Sequence, residues 1–262
     1  MENQDNKILQ NQLIEYASNS MEMISANDIP RVKQLRQEAL KRFIDNGFPT
    51  KKMEKWRNSR MVECVNEDFN IDKIENKKHD FCCVIRELDT EVISMTNGQF
   101  SDNECLRVLE NGIVIGSTRK AMEKYPELFE KYFGACNIND NNGFYDINTA
   151  LWQDGFFIYA PKNAVGEKPI QIIKIIDEDN NPFIQTRNLI IVEANAQLQI
   201  IDCDDSIKEQ SSFVNSYTEI FIGENAQLEN YKLQNLNDNS SLLNTNTAKQ
   251  LANSRLQTHT IS

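Results

Sequence analysis

Leu9, Leu13, Ala17 and Met21 recur every four residues, which sets them along one stripe of an amphipathic helix. Residues 27–30, ending in Pro30, interrupt it. The next stretch places Val32, Leu35, Ala39 and Phe43 on one face and offers Asp28 as a capping side chain. Gly47 followed by Pro49 predicts its stop, because glycine adopts the left-handed backbone that ends helices and proline cannot continue them. Thr50 is placed to cap a third helix from near Lys51 that would carry Met53 and Trp56, so helices dominate the first eighty residues.

The period then shortens. Residues 81–85 and 92–95 are apolar, β-branched runs of strand type, and Asn97-Gly98 is the dipeptide that tight hairpin turns favour. Residues 113–115 continue the pattern. Ser117 or Thr118 can cap a helix running through Tyr125, Leu128 and Phe129 to Gly134.

In the second half, Asn163-Ala164, Asn195-Ala196 and Asn225-Ala226 each follow an apolar strand, at separations of 32 and 30 residues. The last two copies agree further: Asn195-Ala196-Gln197-Leu198 returns as Asn225-Ala226-Gln227-Leu228 after the strand-like runs 189–192 and 219–222. A period of this length signals stacked supersecondary units, and strand-rich units without helices point to a β-helix. A single unit can neither cover its apolar face nor satisfy its edge amides, and stacking does both. Residues 255–262 alternate like a strand with no cap after them, which predicts an open edge covered by further rungs of a longer protein or by a partner.

Composition narrows the function classes. Hydrophobic residues make up 40% and charged residues 26% of the 262, as in a folded globular protein. A net charge of -11 repels phosphate backbones and anionic lipid, which argues against nucleic acid and membrane partners. The polar start, 1–6, and the lack of any apolar run of roughly 20 residues argue against export and membrane insertion. Cys64, Cys82, Cys83, Cys105, Cys136 and Cys203 lack the spacing of a disulfide framework and read as reduced cytosolic thiols.

Candidate chemistry is sparse. A phosphate-cradling Gly-x-x-x-x-Gly-Lys-Ser/Thr loop does not occur, so any ATP dependence must come from a partner. His79, Cys82 and Cys83 lie close in sequence, but adjacent cysteines on a strand point to opposite faces and chelate poorly. Asp202, Cys203, Asp204 and Asp205 could hold iron transiently; the plainer reading is a solvated rung corner. Asp177, Glu178 and Asp179 before Asn180-Asn181-Pro182 read as an exposed loop, and 137–143 fails the calcium-loop pattern. His259, alone in the repeat region, reads as structural or surface rather than as a ligand. No catalytic, cofactor-binding or metal-binding residue is assigned.

Leu151, Asp154-Gly155, Phe157-Ile158-Tyr159, Pro161-Lys162 and Glu167-Lys168-Pro169-Ile170 form a run that resembles the SufB/SufD family, and Asn148-Thr149-Ala150 fits its SufD branch. The segment 47–56, Asn97-Gly98 and Tyr125-Pro126-Glu127-Leu128 agree, so the resemblance covers about residues 30–262. It implies a mixed, mainly β fold: an N-terminal α-helical region, 1–80, a small α+β transition, 81–140, and the first rungs of a truncated right-handed parallel β-helix, 141–262. It also implies a non-catalytic, cytoplasmic scaffold of iron–sulfur cluster assembly that pairs with a SufB-like protein and works with a SufC-like ATPase, with a homodimer also open. The fragment itself is expected to bind no cofactor, the cluster arising transiently in the complex. Family members continue into further rungs and a C-terminal helical region, so their functional residues there find no counterpart in this sequence. Apart from the resemblance, the repeat alone leaves open a carbohydrate-active β-helix enzyme and a general protein-binding solenoid.

Overall fold

The computed structural model describes residues 8–71, 88–100, 106–136 and 142–262. The strand expected at 81–85 and the His79, Cys82, Cys83 group lie outside them, as does most of 137–143.

Two helices open the chain. In α1 (Ile8–Ile24), Leu9, Leu13 and Ala17 are fully buried, as the four-residue spacing requires. In α2 (Pro30–Asn46), proline occupies the first turn, where a missing N–H costs nothing. Gly47 ends α2 at φ 65° and donates to the Phe43 carbonyl at 2.8 Å. Asp28 does not cap: it is buried, and accepts from Arg36 Nε at 2.6 Å. Arg36 Nη1 also donates to the carbonyls of Ala150 and Trp152, both at 2.9 Å, and its guanidinium lies 4.3 Å from the Trp152 ring centre. An ion pair that ties α2 to a distant segment has displaced the local cap.

The expected third helix is a single 3₁₀ turn, Glu54–Trp56, followed by the short α3 (Met61–Cys64). No apolar stripe runs through 51–60 to sustain a longer helix, and Trp56 is held against the Phe144 ring, 5.3 Å between centres.

Strand β1 (Glu91–Thr96) ends in a tight turn with Asn97 at φ 51° and Gly98 at φ 79°, the signature of a type I′ turn. The turn closes only the Thr96–Gln99 bridge; β1 pairs instead, in parallel, with a strand some eighty residues later. Strands β2 (Leu106–Val108) and β3 (Val114–Ser117) form a short antiparallel pair. Ser117 Oγ caps α4 (Thr118–Lys124), accepting from Lys120 N at 3.1 Å. The single helix expected here is two, because Pro126 forces Tyr125 out of helical geometry (φ −130°, ψ 56°) before α5 (Pro126–Tyr132) begins. Helix α6 (Gly143–Leu151), capped by Asn142, was not foreseen: it is only nine residues long, and its polar side chains Asp146, Asn148 and Thr149 are buried with the rest.

The rest is a parallel solenoid of four rungs, each of two strands. They are β4 (Phe156–Ala160) with β5 (Ile170–Ile176), β6 (Phe183–Val192) with β7 (Gln197–Ser206), β8 (Ser212–Ile222) with β9 (Gln227–Asn235), and β10 (Ser240–Gln250) with β11 (Arg255–Ile261). One sheet runs β1-β5-β7-β9-β11, all parallel; the other runs β10-β8-β6-β4-β3-β2, antiparallel only at β2–β3 and β3–β4. Inward positions such as Ile158, Ile190 and Ile220 from one sheet meet Ile172, Leu198 and Ile200 from the other. The outer face of the second sheet is covered by helices, through Phe129, Phe133 and Trp152 on Leu189 and Ile191, and through Phe144 and Ile147 on Phe183 and Phe213.

The repeated asparagines make one corner of every rung. Asn163, Asn195, Asn225 and Asn253 have φ of 65°, 61°, 58° and 57° at the third position of a four-residue turn whose second residue stays at negative φ, the geometry of a type II turn. Asparagine tolerates this left-handed backbone better than other side chains. Its amide adds a ladder, Asn195 Nδ2 to Asn163 Oδ1 at 2.9 Å and Asn225 Nδ2 to Asn195 Oδ1 at 3.2 Å. Ala196 and Ala226 beneath are fully buried, filling the narrow corner. The fourth copy escaped the sequence reading because Ser254 stands where the others have alanine.

Replacing Asn195 by alanine is expected to destabilise the chain by about 1–2 kcal/mol, because alanine lacks the short polar side chain that lets asparagine tolerate the left-handed backbone and also loses the amide ladder. Asn195→Gly keeps the turn and should cost less; urea denaturation of the two variants measures the difference.

A buried charged centre in the solenoid

On β5, β7 and β9 the inward positions begin apolar, with Ile170 and Ile172 on β5 and Ile200 on β7, and then turn charged. Register aligns Ile172, Asp202 and Lys232 in one column and Lys174, Asp204 and Gln234 in the next. Strand alternation therefore turns two aspartates and two lysines into the interior. Lys174 Nζ lies 2.7 Å from Asp202 Oδ1 and 2.9 Å from Asp204 Oδ1. Lys232 Nζ lies 3.0 Å from Asp202 Oδ2 and also bridges to Asp204. The set is formally neutral, and Asp202, Asp204 and Lys232 are buried.

Burial would raise the Asp202 carboxyl, but Lys174 and Lys232 outweigh it and hold the group below the ordinary carboxylate range. Burial would lower the Lys174 ammonium, and Asp202 with Asp204 overcomes that and raises it. For Lys232, burial prevails with help from the charge of Lys174, and its ammonium is pushed down.

This geometry corrects the reading of 202–205 as a solvated rung corner. Strand β7 runs through Ser206, so these residues are mid-strand: Asp202 and Asp204 point inward, Cys203 and Asp205 to the other face. Thiol and inward carboxylates thus do not converge, and among the described residues no group of three or more His, Cys, Asp or Glu side chains is placed to hold a metal ion. Asp177 and Glu178 are likewise buried rather than exposed. Asn97 exchanges two hydrogen bonds with the Asp177 backbone, at 3.1 and 2.8 Å, and Lys208 pairs with Asp177 and Asp179. His259 lies on the exposed face of β11, its ring stacked on Tyr231 at 5.2 Å.

Sequence reading missed Lys174 and Lys232. The available signal was parity: each sits an even number of residues from an inward Ile170 or Leu228, Lys174 on a face of β5 that is otherwise isoleucine and Lys232 on a face of β9 that also carries Asn230 and Gln234.

A second buried pair stands on the outer face of β6 and β8. Arg187 Nη2 lies 2.6 Å from Glu219 Oε1, and its guanidinium 4.2 Å from the Tyr217 ring centre. Arg187 Nη1 donates to Thr149 Oγ1 of α6 at 3.0 Å. Glu219 also accepts from the backbone amides of Gly134 and Cys136, at 3.0 and 3.2 Å, and so ties the end of α5 to the sheet. Burial and the nearby Glu219 push the Cys136 thiol up to about 11, so it stays protonated and unreactive at neutral pH.

Asp154 and Gly155 join the two halves of the second sheet. Asp154 accepts from Ser117 Oγ at 2.9 Å and from the amides of Arg119 and Gly155. A Cβ on Gly155 would lie 2.0 Å from the Arg187 carbonyl oxygen, so only glycine permits this approach.

Residues 7–172 match the family described as the SufBD protein N-terminal region, and residues 175–262 match the SUF system FeS cluster assembly SufBD core domain. The chain belongs to the SufBD family. Its relatives include iron–sulfur cluster assembly SufBD family proteins of Staphylococcus aureus strain MRSA252, 32% identical, and strain USA300, 31% identical. A third, from Staphylococcus haemolyticus strain JCSC1435, is 30% identical. Each similarity runs over 131 residues, 50% of this chain and 28% of the relative. The SufBD core match takes in Asp202, Asp204 and Lys232, and Lys174 falls between the two matched stretches. No helix among the described residues is long and apolar enough to cross a membrane.

Removing one member of the charged centre leaves an unpaired charge inside. Asp202→Asn is expected to cost about 3–5 kcal/mol, and the double variant Asp202→Asn, Lys232→Met to recover much of it, as read from denaturation midpoints. The depressed Asp202 carboxyl contributes stability that is complete above its unfolded value near 3.9 and lost as pH falls through its lower folded value. Urea midpoints measured from neutral to acid pH should fall below about pH 4, and the part due to this group should vanish in Asp202→Asn.

Proposed function

We propose that this chain is part of a SufD-type scaffold of the SUF system, acting without catalysis of its own. In this reading it pairs with a SufB-like protein and serves a SufC-like ATPase in the cytoplasm. The carrying observation is the succession of two SufBD matches along nearly the whole chain, with the SufD-branch residues Asn148-Thr149-Ala150 directly before the solenoid. In the structure those residues are buried in α6, and Asn148 Nδ2 donates to the carbonyls of Thr186 and Asn215, at 3.0 and 2.8 Å, across two rungs. The SufD-branch motif therefore serves to join the helices to the solenoid, as a scaffold requires.

A non-catalytic role is supported by the interior carboxylates. Asp202 and Asp204 each face two lysines, an arrangement that fixes charge rather than leaving a base poised for proton transfer. The same observation disfavours a carbohydrate-active enzyme, whose two carboxyl groups must flank a bound sugar. An iron–sulfur cluster in this reading is cargo of the assembled complex.

Co-expression tests the proposal. A longer SufD-type protein containing this sequence should co-purify with SufB-like and SufC-like subunits, whereas this chain should retain the SufB-like subunit weakly and the ATPase not at all. Tight capture of the ATPase by the chain, or failure of the longer protein to join either subunit, would contradict it.

A further inference from the structure

Beside the charged centre lies a small, partly open pocket of ≈ 20 Å³, lined by Lys174, Asp204, Thr186 and Ser216 and, over most of its surface, by apolar side chains that include Ile184 and Val214. Thr186 and Ser216 come from inward positions of β6 and β8, aligned in register with each other, and the two lysine-cluster residues come from the opposite sheet. The cavity thus spans the solenoid interior from one sheet to the other.

Three observations select its occupant. The first is size: a cavity needs roughly 10–15 Å³ of such volume to hold one water molecule, so this one admits a single non-hydrogen atom and little more. The second is charge. Lys174 and Lys232 already balance Asp202 and Asp204, so an added ion would upset a neutral set in a low-dielectric interior, and a neutral guest would not. The third is hydrogen bonding. Thr186 is 3% exposed, and its Oγ1 is buried without a protein partner. Ser216 Oγ accepts from Asn188 Nδ2 at 3.1 Å and still has a proton to donate. The Lys174 ammonium has three N–H groups and two carboxylate contacts. The guest thus meets donors in Lys174 and Ser216 and a hydroxyl at Thr186 that can also take a proton from it.

We infer that this cavity is a binding site for one structural water molecule, which joins Thr186 of one sheet to the Lys174–Asp204 pair of the other. The water completes the hydrogen bonding of the charged centre and makes Thr186 part of it. Thr186→Val is the discriminating change, because it keeps the shape and removes only the hydroxyl. If the hydroxyl bonds a water, the variant loses that water and its denaturation midpoint falls. If the hydroxyl bonds nothing, removing a buried orphan raises the midpoint or leaves it unchanged.

Water deuteron relaxation dispersion on the unaltered chain should show long-lived internal water, with the amplitude reduced in Thr186→Val and retained in Thr186→Ser. A high-resolution crystal structure of the unaltered chain, which depends on no variant, should show a density peak within hydrogen-bonding distance of Thr186 Oγ1. An unchanged dispersion amplitude in Thr186→Val, a midpoint that does not fall, or a crystal structure without that peak would each overturn the assignment.

Discussion

The interior strands of the solenoid have their backbones satisfied by the strands above and below them, while β10 and β11 pair on one side only, so each rung must present its amides at the height and register its neighbour sets. That constraint fixes the corners. Asn195 N donates to the Glu224 carbonyl and Asn225 N to the Ala252 carbonyl, at 2.9 and 3.0 Å, so the same turn has to recur on each level. The spacing of the asparagines is the trace of this geometry in the sequence. Rung length varies slightly, with register offsets of 32, 30 and 28 residues between successive strands of the second sheet. The variation is absorbed away from the asparagine corner, which stays constant.

Given fixed levels, side chains stack in columns, and a column can change character along the solenoid. Ile172, Asp202, Lys232 and Thr260 occupy one such column. A charge can enter the interior only if a neighbouring level supplies its opposite, and Lys174 with Lys232 does so for Asp202 and Asp204. On the outer face the same rule operates with Arg187 and Glu219, whose remaining hydrogen bonds are made to α6 and to the backbone after α5. Helical layer and solenoid are therefore joined by buried polar contacts as well as by aromatic packing.

Much of this was legible in the residues. The four-residue apolar spacing gave α1 and α2, Gly47 gave the end of α2, and the Asn-Ala copies gave the stacked strands. Features that depend on distant partners were hidden. Asp28 looks like a cap until Arg36 claims it, Thr50 looks like the cap of a helix until Trp56 is seen against Phe144, and α6 is only nine residues long with its polar side chains buried. The acidic run 202–205 reads as a solvated corner because composition does not reveal parity; only the alignment of β7 with β5 and β9 shows which carboxylates face a lysine. Family membership was carried by an ordered set of short motifs, several of which proved to be turns and close approaches, such as Asn97-Gly98 and Gly155.

The charged centre draws its members from three consecutive levels, and this bears on how the solenoid comes apart. In a simple linear array each level interacts only with its neighbours, and the end can fray one level at a time. Here loss of β9 with its Lys232 would strand two carboxylates with a single cation. The levels holding β5, β7 and β9 are thereby fused into one cooperative block, and amide hydrogens within them should exchange together rather than in sequence.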